Sequence, residues 1–186
     1  TKAEFVKEVT AGLLPPPAYF PLNVAMNKHG YDSIDEVIKR GTHALSPRAF
    51  EVAATETGAL ILDTRDAQVF SEGFVPNAIN IGIDGGFAPW VGALIPDIKQ
   101  QILLVTAPGR EEEVVTRLAR VGYDYCIGYL EGGFDAWKKA NMEVDTIVRV
   151  TADALAAIQS SHPDAVIVDV RKQSEYLSEH LQGVEN

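Results

Sequence analysis

The sequence predicts an α/β fold: a parallel sheet with helices on both faces, preceded by a short helical segment and followed by an incomplete second copy of the sheet's opening. Three observations predict it. Short apolar runs at Ala59–Asp63, Ala78–Ile81 and Ile102–Val105 alternate with amphipathic helical stretches, the pattern of strands buried on both faces. Ala165-Val-Ile-Val-Asp169-Val-Arg171 repeats Ala59-Leu-Ile-Leu-Asp63-Thr-Arg65, and the match runs without a gap from Leu60/Val166 to Asn80/Asn186, a constant offset of 106. A hydrophobic fraction of 46% can supply a full core.

The elements follow in order. Thr1 with Glu4 three residues on reads as a capping box, and Phe5, Val6 and Val9 form an apolar stripe. Pro15-Pro16-Pro17 breaks that helix. A second helix is expected over Ala18–Lys28, stopping at Gly30. A third has Ser33 as N-cap, Glu36 three residues later, and Gly41 as its stop. Three short helices make no core alone, so residues 1–44 are expected to dock on something absent from this chain.

Residues 45–148 read as one complete domain. Ser46-Pro47 opens a helix, with proline at the first helical position. Strands follow at Ala59–Asp63, Ala78–Ile81, Ile102–Val105 and Tyr123–Leu130. A helix over Glu111–Val121 places Val114, Val115, Leu118 and Val121 on one face, and Gly122 closes it. Gly132-Gly133 turns the chain into a last helix, Phe134–Ala140. Gly85-Gly86-Phe87-Ala88-Pro89-Trp90 reads as a flexible aromatic loop. Residues 149–186 repeat the opening third of this unit, with Thr151 mirroring Ser46 one residue out of step. A third of a parallel sheet closes no core, so the chain end is expected to be a boundary rather than a natural terminus.

Composition excludes several functions. A net charge of -10 argues against nucleic acid and against an anionic membrane surface. No apolar run approaches the roughly 18–20 residues of a membrane span. Thr1–Thr10 is too charged for a signal peptide. The single cysteine, Cys126, rules out an internal disulfide and fits a reducing, cytoplasmic setting. It falls in a core strand and is expected to be buried and inert. His29, His43, His162 and His180 show no ligand spacing, so no metal or other cofactor is expected in this chain. Leu130-Glu131-Gly132-Gly133 lacks the lysine of a phosphate loop and reads as a turn.

Two segments carry a resemblance. Leu62-Asp63-Thr64-Arg65, Phe70 and Asn77-Ala78-Ile79-Asn80 resemble the opening signature of rhodanese domains. Tyr129-Leu130-Glu131-Gly132-Gly133-Phe134-Asp135-Ala136-Trp137 resembles their closing signature. The second copy carries Asp169-Val-Arg171, Glu175-Tyr176, His180-Leu181, Gly183 and Asn186. The first zone, with Pro15-Pro-Pro-Ala-Tyr19-Phe20 and Met26-Asn27-Lys28, is similar to the helical C-terminal tail of a metallo-β-lactamase-fold domain, and more narrowly to persulfide dioxygenase-like proteins that carry rhodanese domains.

The rhodanese resemblance implies a thiolate at the end of a strand that accepts sulfane sulfur within a cradle of backbone N–H groups. Here that position is Thr106, followed by Ala107, Pro108, Gly109, Arg110 and Glu111. An alcohol offers no ionised nucleophile at neutral pH, Pro108 removes an N–H, and Glu111, Glu112 and Glu113 put carboxylates where an anionic donor would dock. The expectation is a non-catalytic, interaction or linking module with a vestigial loop. A parent enzyme, a hydrolase or persulfide dioxygenase with sulfurtransferase domains, would carry Fe or Zn upstream. Its partners would be that upstream domain and the rest of the second copy. Sulfur transfer by a cysteine in the second copy would need residues beyond Asn186. A phosphoacceptor receiver would need an acidic pair after the first strand and a Lys-Pro after the last, and a rhodanese-like phosphatase needs the missing cysteine.

Asp63 and Arg65, repeated as Asp169 and Arg171, are expected to serve structure: a strand-end carboxylate with a local ion pair. Phe87 and Trp90 are expected to pack on the sheet, with partner binding as the alternative. The unpartnered first helices and the open third zone predict exposed apolar surface and self-association.

Overall fold

The computed structural model describes residues 1–11 and 19–186, and its chain divides into two compact units, Thr1–Ile147 and Val148–Asn186. The proline break at Pro15–Pro17 and the expected helix start at Ala18 lie outside the described residues.

The first unit holds a five-stranded, wholly parallel sheet. Its strands are β1 (Ala44–Leu45), β2 (Leu60–Asp63), β3 (Ile79–Asn80), β4 (Ile102–Val105) and β5 (Cys126–Leu130), in the order β1-β5-β4-β2-β3. Around it lie α1 (Lys2–Thr10), α2 (Phe20–His29), α3 (Ile34–Gly41), α4 (Pro47–Thr57), α5 (Ala67–Glu72), α6 (Phe87–Leu94), α7 (Glu111–Ala119) and α8 (Gly133–Lys139). The central strand β4 shows why its sequence is apolar throughout. Ile102 and Leu104 join one core with Leu62, Val91, Val115 and Leu118, while Leu103 and Val105 join the other with Ile61, Phe50 and Trp137. All four side chains of β4 are 0% exposed.

Two expectations are corrected here. Gly85–Trp90 is not a flexible loop: α6 begins at Phe87, and Pro89 sits in its first turn, where its missing N–H has no intrahelical partner to lose. Nor does the whole of residues 1–44 wait for a missing surface. Val37 on α3 is 1% exposed and Tyr19 is 8% exposed, both within the core on the α6–α7 face. At Gly41, a Cβ would stand 2.7 Å from a Val115 methyl and 2.9 Å from the Cys126 Cβ, so α3 reaches the sheet through a glycine. Arg40 fastens the same helix, donating from Nη2 to the Asp124 carbonyl at 2.7 Å. By contrast α1, closed by its expected capping box, buries none of its residues.

The second unit contains α9 (Ala152–Ser161) and α10 (Gln173–Ser178). A single parallel bridge joins Val168 to Glu185. That bridge is the Leu62–Ile79 pairing of β2 and β3 displaced by the repeat offset. Nothing in this unit stands where β4 stands beside β2, and Val166, Val168 and Val170 are 80%, 55% and 91% exposed. The expected apolar surface is therefore there, on α1 and on this segment.

Candidate functional site

All five strands point their C-terminal ends the same way, and the loops leaving β2, β3, β4 and β5 surround a cleft of about 800 Å³. Open parallel sheets place their ligand sites at this end.

The loop after β4 begins with Thr106, which is 3% exposed. Gly109 turns the loop with φ +80°, a conformation costly for a side chain bearing a Cβ. The chain then enters α7 at Glu111. The Glu111 side chain folds back over the loop, and its Oε1 accepts from the Thr106 hydroxyl at 3.3 Å and from the Gly109 N–H at 3.2 Å. A carboxylate of the chain thus caps this N–H, and does so at a helix N-terminus, where negative charge is favoured.

Arg110, the cation of this loop, is committed twice. Its guanidinium donates to both oxygens of Asp84 at 2.8 and 2.9 Å, and to both oxygens of Glu113 at 2.8 and 3.1 Å. These bonds hold the Asp84 and Glu113 carboxyls below the usual carboxylate range and raise the Arg110 pKa. Arg117 adds a 2.8 Å pair to Glu113 and donates to the Ile83 carbonyl at 2.7 Å.

Asp63 and Arg65 form a structural clamp beside the cleft. Asp63 is 0% exposed, and Arg65 grips both of its oxygens, with Nη2 to Oδ2 at 2.6 Å and Nε to Oδ1 at 2.9 Å. Arg65 also donates to the Gly73 carbonyl at 2.9 Å and lies 4.5 Å from the Phe134 ring centroid. Asn80 closes the turn by donating to the carbonyls of Asp63 and Arg65, both at 3.0 Å. The second copy reproduces every one of these bonds: Arg171 to Asp169, Arg171 to the Glu179 carbonyl, and Asn186 to the carbonyls of Asp169 and Arg171. The stacked Phe70–Phe74 pair recurs as Tyr176–His180. A clamp that forms in a unit without a β4 loop needs no catalytic loop to explain it.

The remaining sequence candidates separate. Cys126 is wholly buried in β5, and burial pushes its thiol up to about 12, so it is protonated at neutral pH. Phe87 is 2% exposed and packs on the sheet as expected, whereas Trp90, one turn on, is 60% exposed and lines the cleft. Gly132, at φ +71°, and Gly133 turn the chain from β5 into α8. His29, His43, His162 and His180 do not meet; among the described residues no group of three or more His, Cys, Asp or Glu could hold a metal. No helix among them is long and apolar enough to cross a membrane.

Sequence reasoning missed the Arg110–Asp84 fork and the Glu111 fold-back. No periodicity links Asp84 to Arg110, 26 residues apart. The role of Asn80 could have been found, because it recurs as Asn186 at the repeat offset.

The rhodanese-like domain model matches residues 47–140. Among solved structures, a metallo-β-lactamase from Staphylococcus aureus superposes at TM-score 0.54 with 22% identity, covering 70% of this chain and 35% of that one. A thiosulfate sulfurtransferase from Pseudomonas aeruginosa gives TM-score 0.48 and 19% identity over 83% of this chain and 37% of that one. A rhodanese-like domain from Anabaena sp. gives 0.48 and 18% over 77% and 96%. At such identities the likeness is one of fold. No curated protein sequence matches the chain.

Proposed function

Since the chain belongs to the rhodanese-like family, we propose that its complete domain is a non-catalytic member, an interaction or linking module rather than a sulfurtransferase. The observation that carries this reading is the state of the loop after β4. Thr106 follows β4, the position the family resemblance implies for a thiolate, and the Glu111 carboxylate accepts from both its hydroxyl and the Gly109 N–H. A sulfur-accepting loop needs an ionised nucleophile and free donors for an anionic sulfur carrier. This loop has a neutral alcohol, and a carboxylate of the chain already satisfies that donor. Arg110 adds no free positive charge, because Asp84 and Glu113 share it.

The test is a thiosulfate:cyanide sulfurtransferase assay on the unmodified chain, on Thr106→Cys, and on Thr106→Cys with Glu111→Gln. The unmodified chain and the single variant stay at background, and the double variant gains turnover. Turnover by the unmodified chain would overturn the non-catalytic reading. Turnover by Thr106→Cys alone would overturn the blocking role of Glu111.

The same reading extends to a larger protein in which this domain follows a metallo-β-lactamase-fold domain and precedes a second rhodanese-like copy, cytoplasmic, self-associating, and acting in sulfur metabolism. The superposition on the Staphylococcus aureus metallo-β-lactamase supports it, as does the second copy's clamp at Asp169–Arg171. Any Fe or Zn would belong to the upstream domain, so no step of its chemistry runs through these residues. Iron or zinc bound stoichiometrically by the longer protein, and absent from this chain alone, is the expected result.

A further inference from the structure

In the second unit, residues 166–170 form an edge that is paired on one side only. The Ile167 carbonyl accepts from the Glu185 N–H at 3.1 Å, and the Asp169 N–H donates to the Glu185 carbonyl at 2.6 Å. Backbone groups alternate along a strand, so the N–H and C=O groups of Val166, Val168 and Val170 face the opposite side. The first unit shows what that side takes. Leu60 and Thr64, the counterparts of Val166 and Val170 at the repeat offset, donate across the β2–β4 pairing to the Gln101 and Val105 carbonyls, both at 2.9 Å. Val166 and Val170 make no such bond among the described residues. The edge is also fixed before anything pairs with it. Arg171 grips Asp169, and Asn186 donates to the carbonyls of Asp169 and Arg171 at 2.8 and 2.9 Å. Val166, Val168 and Val170 are exposed, β-branched and on one face, which suits strand pairing. The one charge within the run, Asp169, is tied to Arg171 and does not guard the edge.

We propose that this edge pairs with the same edge of a second copy of the chain, antiparallel about a two-fold axis at Val168. Backbone polarity and charge both select that occupant. About this axis Val168 meets Val168 of the second copy, and Val166 meets its Val170. All three facing pairs are then of the hydrogen-bonded kind, so every free N–H and C=O of the edge finds a partner. The same register sets Asp164 opposite Lys172 of the second copy, and both side chains are exposed. A parallel, in-register pairing would instead set Asp164 against Asp164 and Lys172 against Lys172. The proposal rests on the self-association read above and gives it a surface; it does not depend on the loop after β4. In the longer protein proposed above, the remainder of the second rhodanese-like copy would compete for the same edge.

Light scattering on the full chain over a range of concentrations tests it. A monomer–dimer equilibrium is expected, with no larger species, because a two-fold contact closes on itself. Val168→Lys sets two ammonium groups face to face at the axis and should return a monomer at every concentration. Lys172→Asp should weaken the dimer about fivefold, the size of two exposed cross-strand charge pairs. Adding Asp164→Lys to it should restore the affinity. Residue 172 is the N-cap of α10, where aspartate is favoured, so this variant keeps its fold. Phe5→Ser, which removes another exposed apolar side chain on α1, should leave the dimer unchanged. A dimer that survives Val168→Lys, or that is lost in Phe5→Ser, would overturn the proposal and leave self-association standing. An unweakened dimer in Lys172→Asp would overturn the register. A monomer at all concentrations would remove both the proposal and the self-association.

Discussion

Replacing Arg65 by alanine should destabilise the first unit. Asp63 is 0% exposed and Arg65 is the partner of both its oxygens. After Arg65→Ala, Oδ1 keeps the backbone N–H of residue 65, at 3.0 Å in the present structure, and Oδ2 loses both its donors. The Gly73 carbonyl loses its donor and the Phe134 ring its cation. Leaving one member of a buried pair uncompensated costs about 3–5 kcal/mol. For a unit of this size that corresponds to a fall of about 6–20 °C in Tm. Near-ultraviolet circular dichroism, followed through buried Trp137, reads the transition of this unit alone. Arg171→Ala is the control: the same bonds form there, but in the second unit, so the transition reported by Trp137 should not move. Equal shifts in the two variants would refute the view that Arg65 stabilises the first unit through its own clamp. Recovery of stability in a double variant, Asp63→Leu with Arg65→Met, would support it.

Other residues give sharper local tests. Gly41→Ala should lower stability by about 1–3 kcal/mol in thermal unfolding, because its Cβ would overlap the Val115 methyls, and this outweighs the helical preference of alanine; a gain would mean α3 does not pack on the sheet. The Asp169 carboxyl is held down to about 2, chiefly by the Arg171 side chain. The stabilisation it gives is present above the ordinary carboxylate pKa of about 3.9 and is lost as pH falls from there through about 2. A carboxyl-carbon NMR titration with a midpoint near 4 would contradict the pair. Cys126 should resist a thiol-alkylating reagent at pH 8 in the folded chain and react at once in denaturant; fast labelling of the folded chain would contradict its burial.

What the sequence made legible follows from local physics. Strands β2 and β4 and helix α7 could be placed because continuous apolar runs and a 3.6-residue stripe are periodic signals. The helix over Phe87–Leu94 was hidden by Gly85, Gly86 and Pro89, which signal a loop although Pro89 falls where a helix tolerates it. Strand β1 is two residues long, and only its pairing of Ala44 with Tyr129 and Leu45 with Leu130 makes it a strand. At the site, Thr106 after the strand and the run of glutamates were plain in one dimension. That Glu111 turns back onto Gly109, and that Asp84 crosses from the loop after β3 to fork with Arg110, depends on three-dimensional proximity. The identical clamps at Asp63–Arg65 and Asp169–Arg171 joined the two kinds of information, since a sequence repeat became a repeat of hydrogen bonds.

The central claim is the proposal that this chain accepts no sulfane sulfur. It is tested most directly by incubating the unmodified chain with thiosulfate, and separately with a low-molecular-weight persulfide, and measuring its intact mass. The account predicts an unchanged mass, because Thr106 cannot hold a persulfide and the Cys126 thiol is buried and protonated. A stable gain of one sulfur atom, mapped to Cys126 or to the loop after β4, would contradict it.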